Sequence, residues 1–188
     1  MRPATTVSLL CFVALGPIAV EAYAQIDVEN PPQPPVERLA RFRPFFGLYV
    51  HADQEYAGLR PWSGTLDVGP AVKGWYVEWV INTHHAAVDR QLRMLMTWDD
   101  ELGRYRIWRF ETTPQAPPQR MEGEGRFAGD TLVMEWNDVP GPRGQPPATF
   151  RNRAFMAQPD ELLIITDVLP QGASEWIRLG EWRNRRRM

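Results

Sequence analysis

Met96-Thr97-Trp98-Asp99-Asp100-Glu101-Leu102-Gly103-Arg104-Tyr105-Arg106-Ile107-Trp108 sets three consecutive acids between two aromatic-rich runs. Read as a metal or acid–base cluster, the stretch would be chemistry; read as a turn, it fixes a fold. The turn is the better reading. Asp is a good turn former, Gly103 can supply a positive φ, and no histidine or second carboxylate cluster stands beside the acids. A four-residue loop over Asp100–Gly103 sets Asp99 opposite Arg104, Trp98 opposite Tyr105, Met96 opposite Ile107 and Met94 opposite Arg109. Met94, Met96, Trp98, Ile107 and Arg109 then share one face, and the acids form a solvated tip with charge pairing to Arg104.

Outward from this hairpin the period of two persists. Segments near 46–53, 62–69, 73–83, 90–99, 104–112, 119–128, 130–137, 148–157, 160–169 and 174–184 alternate or carry β-branched and aromatic residues, with Gly, Pro, Asp and Asn between them. No connection is long or helical enough for a parallel crossover, so the strands form an antiparallel meander. Closing the meander removes its edges, which favours an all-β up-and-down barrel of about ten strands over a two-sheet sandwich. Gly123, Gly125 and Gly180 fit a sheet that must bend sharply.

Upstream, Val36, Leu39, Ala40 and Phe42 fall at helical spacing and predict one short amphipathic helix ended by Pro44. Residues 25–35 form a proline-dense spacer. Arg2, the apolar run Val7–Val20 and Ala22-Tyr23-Ala24 have the layout of a cleavable leader over 1–24, cut after Ala24, which predicts a periplasmic or secreted protein with one barrel domain over 36–188. That run is too short to span a bilayer, which takes about 20 apolar residues. Cys11, the only cysteine, would leave with the leader, excluding disulfides and thiolate chemistry. The formal charge of −2 does not point to nucleic acid or an anionic membrane.

Trp98-Asp99-x-x-x-Gly103-x-Tyr105 resembles the Tyr-Asp-x-x-x-Gly-x-aromatic hairpin of the bacterial calycin-like proteins grouped as domain of unknown function 1579. Phe45-Phe46-Gly47-Leu48-Tyr49, Lys73-Gly74-Trp75-Tyr76-Val77-Glu78 and Gly180-Glu181-Trp182-Arg183 resemble that group's first strand, a glycine-preceded aromatic strand and the closing strand. The resemblance spans roughly 45 to 183. It implies a lipocalin-like or nitrobindin-like barrel and no established activity. The haem-binding relatives of that group use a histidine late in the chain, whereas the histidines here are His51, His84 and His85; this departure speaks against haem.

His84 and His85 are adjacent, so in a strand their rings point to opposite faces and cannot share an ion. The glycine-rich run 122–129 lacks the strand-to-helix context of a phosphate loop. No metal and no cofactor are expected. What the strands do carry is tryptophan and methionine, large and adaptable side chains that suit an apolar ligand as well as a filled core. The candidate binding residues are Trp79, Met94, Met96 and Trp136 as walls and Arg109 for an acidic group, and the expected partner is a small apolar or amphipathic molecule. Two alternatives stand beside this. One is an isomerase, cyclase or hydrolase of the same shape using Glu78, Tyr105 or Arg109; the other is a solid-cored structural protein. Strands apolar on both faces, such as 106–110 and 162–165, leave room for a homodimer.

Overall fold

The computed structural model describes residues 33–56, 59–85, 88–113, 116–139 and 146–187. The expected leader and most of the spacer, residues 1–32, lie outside them. Ten antiparallel strands follow a short helical segment: β1 (Gly47–Tyr56), β2 (Leu59–Ala71), β3 (Tyr76–His85), β4 (Val88–Asp99), β5 (Arg104–Thr113), β6 (Ala116–Ala128), β7 (Thr131–Val139), β8 (Ala148–Gln158), β9 (Glu161–Pro170) and β10 (Ile177–Arg186). Each pairs with its neighbours in sequence, and β1 pairs with β10, so the sheet is a closed barrel. The β4–β5 register is the one that the alternation of the opening stretch dictates, with Trp98 opposite Tyr105, Met96 opposite Ile107 and Met94 opposite Arg109.

Strand parity decides which side chains face in. Leu66 and Val68 of β2, Val77 and Trp79 of β3, Leu92, Met94 and Met96 of β4, and Tyr105 and Ile107 of β5 are all buried, as are Leu132, Met134 and Trp136 of β7. Two glycines let the wall close on these large groups. A Cβ on Gly123 would sit 2.5 Å from the Glu135 carbonyl oxygen and 2.7 Å from the Trp136 indole; one on Gly64 would sit 1.9 Å from the Asn82 carbonyl oxygen. Both positions need the absence of a side chain rather than a special φ. Among the outward residues, Tyr76 packs edge-on to Trp108 at 6.0 Å and Phe110 is exposed, leaving a modest apolar strip on β3–β5.

The helical segment departs from the expected helix. An α-turn, α1 (Val36–Leu39), passes into a 3-10 helix over Ala40–Phe45 that runs through Pro44 instead of stopping before it. The tighter helix explains this, since residues three apart eclipse in a 3-10 turn and Phe42 and Phe45 thereby point the same way, into one end of the barrel. Phe42 packs on Tyr105 and Phe127 at 5.0 and 5.2 Å, and Phe45 on Trp79 at 6.1 Å. Polar bonds hold the plug in place: the Tyr105 hydroxyl donates to the Arg38 carbonyl at 2.7 Å, and Arg186 donates to the Pro44 carbonyl and to the Tyr49 hydroxyl, both at 2.9 Å.

Two further details differ from the sequence reading. The strand expected from residue 73 begins at Tyr76, because Val72, Lys73 and Gly74 all take positive φ to make a reversing turn, and only Gly74 is a residue type that announces one. In the opening hairpin Gly103 has φ +63 as expected, but Asp99 forms its ion pair with Arg106 at 2.8 Å, while Arg104 turns to Glu124 on β6. The diagonal choice follows from the loop: the Asp99 carboxylate also accepts the Leu102 backbone N–H at 3.0 Å, which orients it away from Arg104. That backbone bond, with help from Arg106, holds the Asp99 carboxyl below the usual aspartate range.

Candidate binding cavity

The plug fills one end of the interior. Beyond the packed layer of Met96 and Ile107 the lumen opens into a cavity of about 270 Å3. Its apolar wall comes from Leu66, Trp79, Met94, Met121, Met134, Phe150 and Trp182, each projected inward by the parity of its own strand. Of the expected binding residues, Trp79, Met94 and Arg109 line this space. Met96 and Trp136 do not; both are fully buried, Met96 in the packed half and Trp136 against Arg109, whose guanidinium lies 5.7 Å from the indole centroid.

Arg109 is not alone. One turn of the alternation past it on β5 stands Glu111, and four residues before Met94 on β4 stands Arg90, so the same parity that points Met94 and Arg109 inward brings all three together. Glu111 accepts from Arg109 at 2.7 Å and pairs with Arg90 at 2.8 Å. The three side chains are between 15 and 24% exposed, enough to meet solvent through the cavity mouth but not to be screened as surface pairs are. Burial pushes the Glu111 carboxyl up, and hydrogen bonding and charge from Arg90 and Arg109 outweigh it, so the net shift is downward and Glu111 is ionised at neutral pH. Among the described lining residues, two guanidiniums stand against one carboxylate, a formal charge of +1.

Across the lumen, uncharged polar residues stand among Phe150, Ile164 and Trp182. Asn152 of β8, Thr166 of β9 and Asn184 of β10 face the cavity. Asn184 donates to the carbonyls of Leu162 and Trp182, both at 3.2 Å, and is thereby part of the wall. The Oδ1 atom of Asn152 is buried with no hydrogen-bond partner, as is the indole N–H of Trp79. Behind the lining residue Trp182, His51 of β1 is 3% exposed and packs edge-on against that indole at 5.2 Å. Burial lowers its pKa, the Asn184 amide opposing weakly, so the imidazole is neutral.

The residues offered for catalysis separate. Glu78 has even parity on β3, faces outward and pairs with Arg93; Tyr105 is committed to the plug; only Arg109 reaches the cavity. His84 also faces outward, paired with Asp89, whereas His51 is inside, so the barrel wall divides them. The described residues include no group of three metal-ligating side chains. Arg90, Glu111 and Asn152 are the cavity residues that sequence reasoning missed. Parity from Met94 and Arg109 carried the signal for the first two; nothing in the sequence of β8 marked which face was inward.

Comparison with known proteins adds little. No protein-family model matches the chain, and no curated protein matches it. Among solved structures, one described as the crystal structure of Rv2717c from M. tuberculosis is similar at 14% identity and a TM-score of 0.37, over 84% of this chain and 100% of that one.

Proposed function

We propose that this protein is an exported, non-enzymatic barrel that binds a small amphipathic anion in the half of its lumen left unfilled by the helical plug. The observation that carries this reading is the juxtaposition of an unfilled apolar cavity with an excess positive charge on one wall. A packed core has no use for two guanidiniums, since burying a charge without full compensation is strongly unfavourable, and apolar side chains of equal volume would fill the space at no such cost. A ligand carboxylate on Arg109 and Arg90 would complete the charge balance while its apolar body meets Trp79, Met94 and Met134. The kinship to the calycin-like group suggested by the Trp98–Tyr105 hairpin belongs to the same proposal.

Export rests on the leader layout at 1–24. A barrel working in water is supported by its outer wall, where Glu78–Arg93, Arg104–Glu124 and Arg183–Glu161 form interstrand ion pairs. A membrane barrel shows the reverse, an apolar outer band. Among the described residues no helix is long and apolar enough to cross a membrane.

The test titrates an environment-sensitive anionic naphthalene dye into wild type, Arg109→Leu and Met94→Trp, followed by displacement with a fatty-acid series. Saturable binding blocked by the added indole, with carboxylate preference lost in Arg109→Leu, is the expected result. Absence of saturable binding to any member removes the reading. Intact mass of protein from the periplasm or medium checks export, with Gln25 expected at the amino terminus.

A further inference from the structure

The cavity has a second pole. Around a closed ring of ten strands, β4 and β9 are diametrically opposed, as are β5 and β10. Arg90 on β4 and Thr166 on β9 thus line the cavity from opposite sides of the ring, and Asn152 is the cross-strand partner of Thr166. Three polar groups on the walls are engaged: the Thr83 hydroxyl donates to the Arg90 carbonyl at 3.4 Å, Asn184 bonds the β9 and β10 backbones, and Glu111 is held by two arginines. Asn152 Oδ1 is a buried acceptor without a donor, as the Trp79 indole N–H is a buried donor without an acceptor. Buried polar groups left unpaired are rare in native proteins because each carries the full penalty of losing water.

Resting on the reading of the cavity as an anion-binding site, we propose that its ligand is a hydroxy acid of medium chain length, its carboxylate on Arg109 and Arg90 and its distal hydroxyl donating to Asn152 Oδ1. The donor must be neutral, because the lumen already holds a net positive charge and a second cation would be repelled. A hydroxyl is the smallest neutral donor. The volume of about 270 Å3 equals that of roughly nine liquid waters at about 30 Å3 each, which limits the ligand to on the order of ten to fifteen non-hydrogen atoms. The span is set by the wall: strands about 4.8 Å apart, tilted by about 40°, put ten of them on a circle of radius near 10 Å, and the inward side chains take up about half of that diameter. An unsubstituted acyl chain would lie against Asn152 and leave its oxygen dry.

The discriminating experiment compares octanoate, 8-hydroxyoctanoate and 8-methoxyoctanoate by isothermal titration with wild-type protein, then repeats the pair of acids with Asn152→Leu after a melt shows that the variant is folded. The hydroxy acid should bind about tenfold more tightly than octanoate, in line with an otherwise unpaired buried acceptor, and the methyl ether should lose that advantage because it has no hydrogen to donate. In Asn152→Leu the preference should reverse. Binding of octanoate as tight as that of the hydroxy acid overturns the hydroxy-acid assignment and leaves the anion cavity standing. Failure of all three acids to bind overturns the anion cavity as well. The methyl ether comparison uses wild-type protein alone, so it decides the matter even if Asn152→Leu does not fold.

Discussion

Replacing Glu111 by Gln should make the protein less stable and a better anion binder at once. The carboxylate is the counter-ion of both Arg109 and Arg90, at 2.7 and 2.8 Å. Two unit charges about 4 Å apart attract by about 4 kcal/mol at an effective dielectric of 20, and Gln retains the volume and one acceptor while removing the charge. Breaking a fully buried pair costs about 3–5 kcal/mol; these side chains reach solvent through the cavity, so a loss of about 1–3 kcal/mol is expected from denaturant melts. The same change raises the cavity charge from +1 to +2 and frees guanidinium N–H groups. Even about 1.4 kcal/mol of the lost pairing, recovered by a ligand carboxylate, is a tenfold gain in affinity. The assay is a displacement titration with an aliphatic carboxylate and its matched neutral alcohol, on wild type and variant. The carboxylate should gain tenfold or more while the alcohol changes little. A folded Glu111→Gln variant whose carboxylate affinity is unchanged or weaker would refute the view that Arg90 and Arg109 face a ligand. Acid should imitate the substitution only below the ordinary glutamate range. The Glu111 pKa is depressed in the fold, so its stabilising contribution is full above the unfolded value and is lost as pH falls through the folded one.

Three further outcomes follow from the wall and its turns. Gly103→Val forces a β-branched residue to φ +63 and should cost about 1 kcal/mol or more, whereas Asp100→Asn and Glu101→Gln at the same exposed tip should stay within about 0.5 kcal/mol in thermal melts. Gly123→Ala drives a methyl to 2.5 Å from the Glu135 oxygen and against Trp136, so a loss of about 1–3 kcal/mol with a shifted tryptophan emission is expected from urea unfolding. The folded pKa of His51 lies below its unfolded value of about 6.5, so its contribution is full above that pH and declines below it, by at most about 1.4 kcal/mol per pH unit; His51→Leu should flatten the wild-type fall in melting temperature across that window, and parallel profiles would refute the buried neutral state.

How far the sequence led depends on the kind of signal. The hairpin at 96–108 was legible down to its register because a two-residue period, an acid-rich tip and one glycine all agree, and register follows once the loop length is fixed. The other strands were legible from the same period, with ends displaced by up to three residues, as at β2, β6 and β10. The turn at 72–74 was not, since Val72 and Lys73 adopt a conformation their side chains disfavour and only tertiary closure enforces it. For the site, the alternation on β4 and β5 placed Met94 and Arg109 on one face and implied Arg90 and Glu111 beside them. On β8 the run Thr149-Phe150-Arg151-Asn152-Arg153-Ala154-Phe155 alternates no more clearly one way than the other. Its inward set is fixed by pairing with β7 and β9, a relation between segments rather than a pattern within one. Asn152 was hidden for that reason. Met96 and Trp136 both point inward, but parity reports the face of a strand and not whether a side chain meets the void: Met96 lies in the packed layer, and Trp136, between the lining residues Met134 and Val139, is covered by Arg109.

That division between packed layer and void is itself a consequence of strand number. An eight-stranded barrel is just wide enough for its own side chains to fill, and width grows with the count of strands. At ten strands a lumen lined by single inward side chains is underfilled, so the chain must either supply extra bulk or leave a void. At one end it supplies bulk from outside the sheet: Phe42 and Phe45 enter from the 3-10 helix, and Trp79, Phe127 and Tyr105 close around them. No described segment performs that service at the other end. There, among apolar lining residues such as Leu92, Met121 and Phe150, stand Thr83, Arg90, Glu111, Gln119 and Asn152, which would be poor filler for a void meant to be closed. A chain selected only for a solid core would place leucine or phenylalanine at these positions, as it places Val77, Met96 and Ile107 a few residues lower on β3, β4 and β5. The entry of polar residues into single strands, at the level where the plug stops, is the feature on which the proposal of a binding site rests.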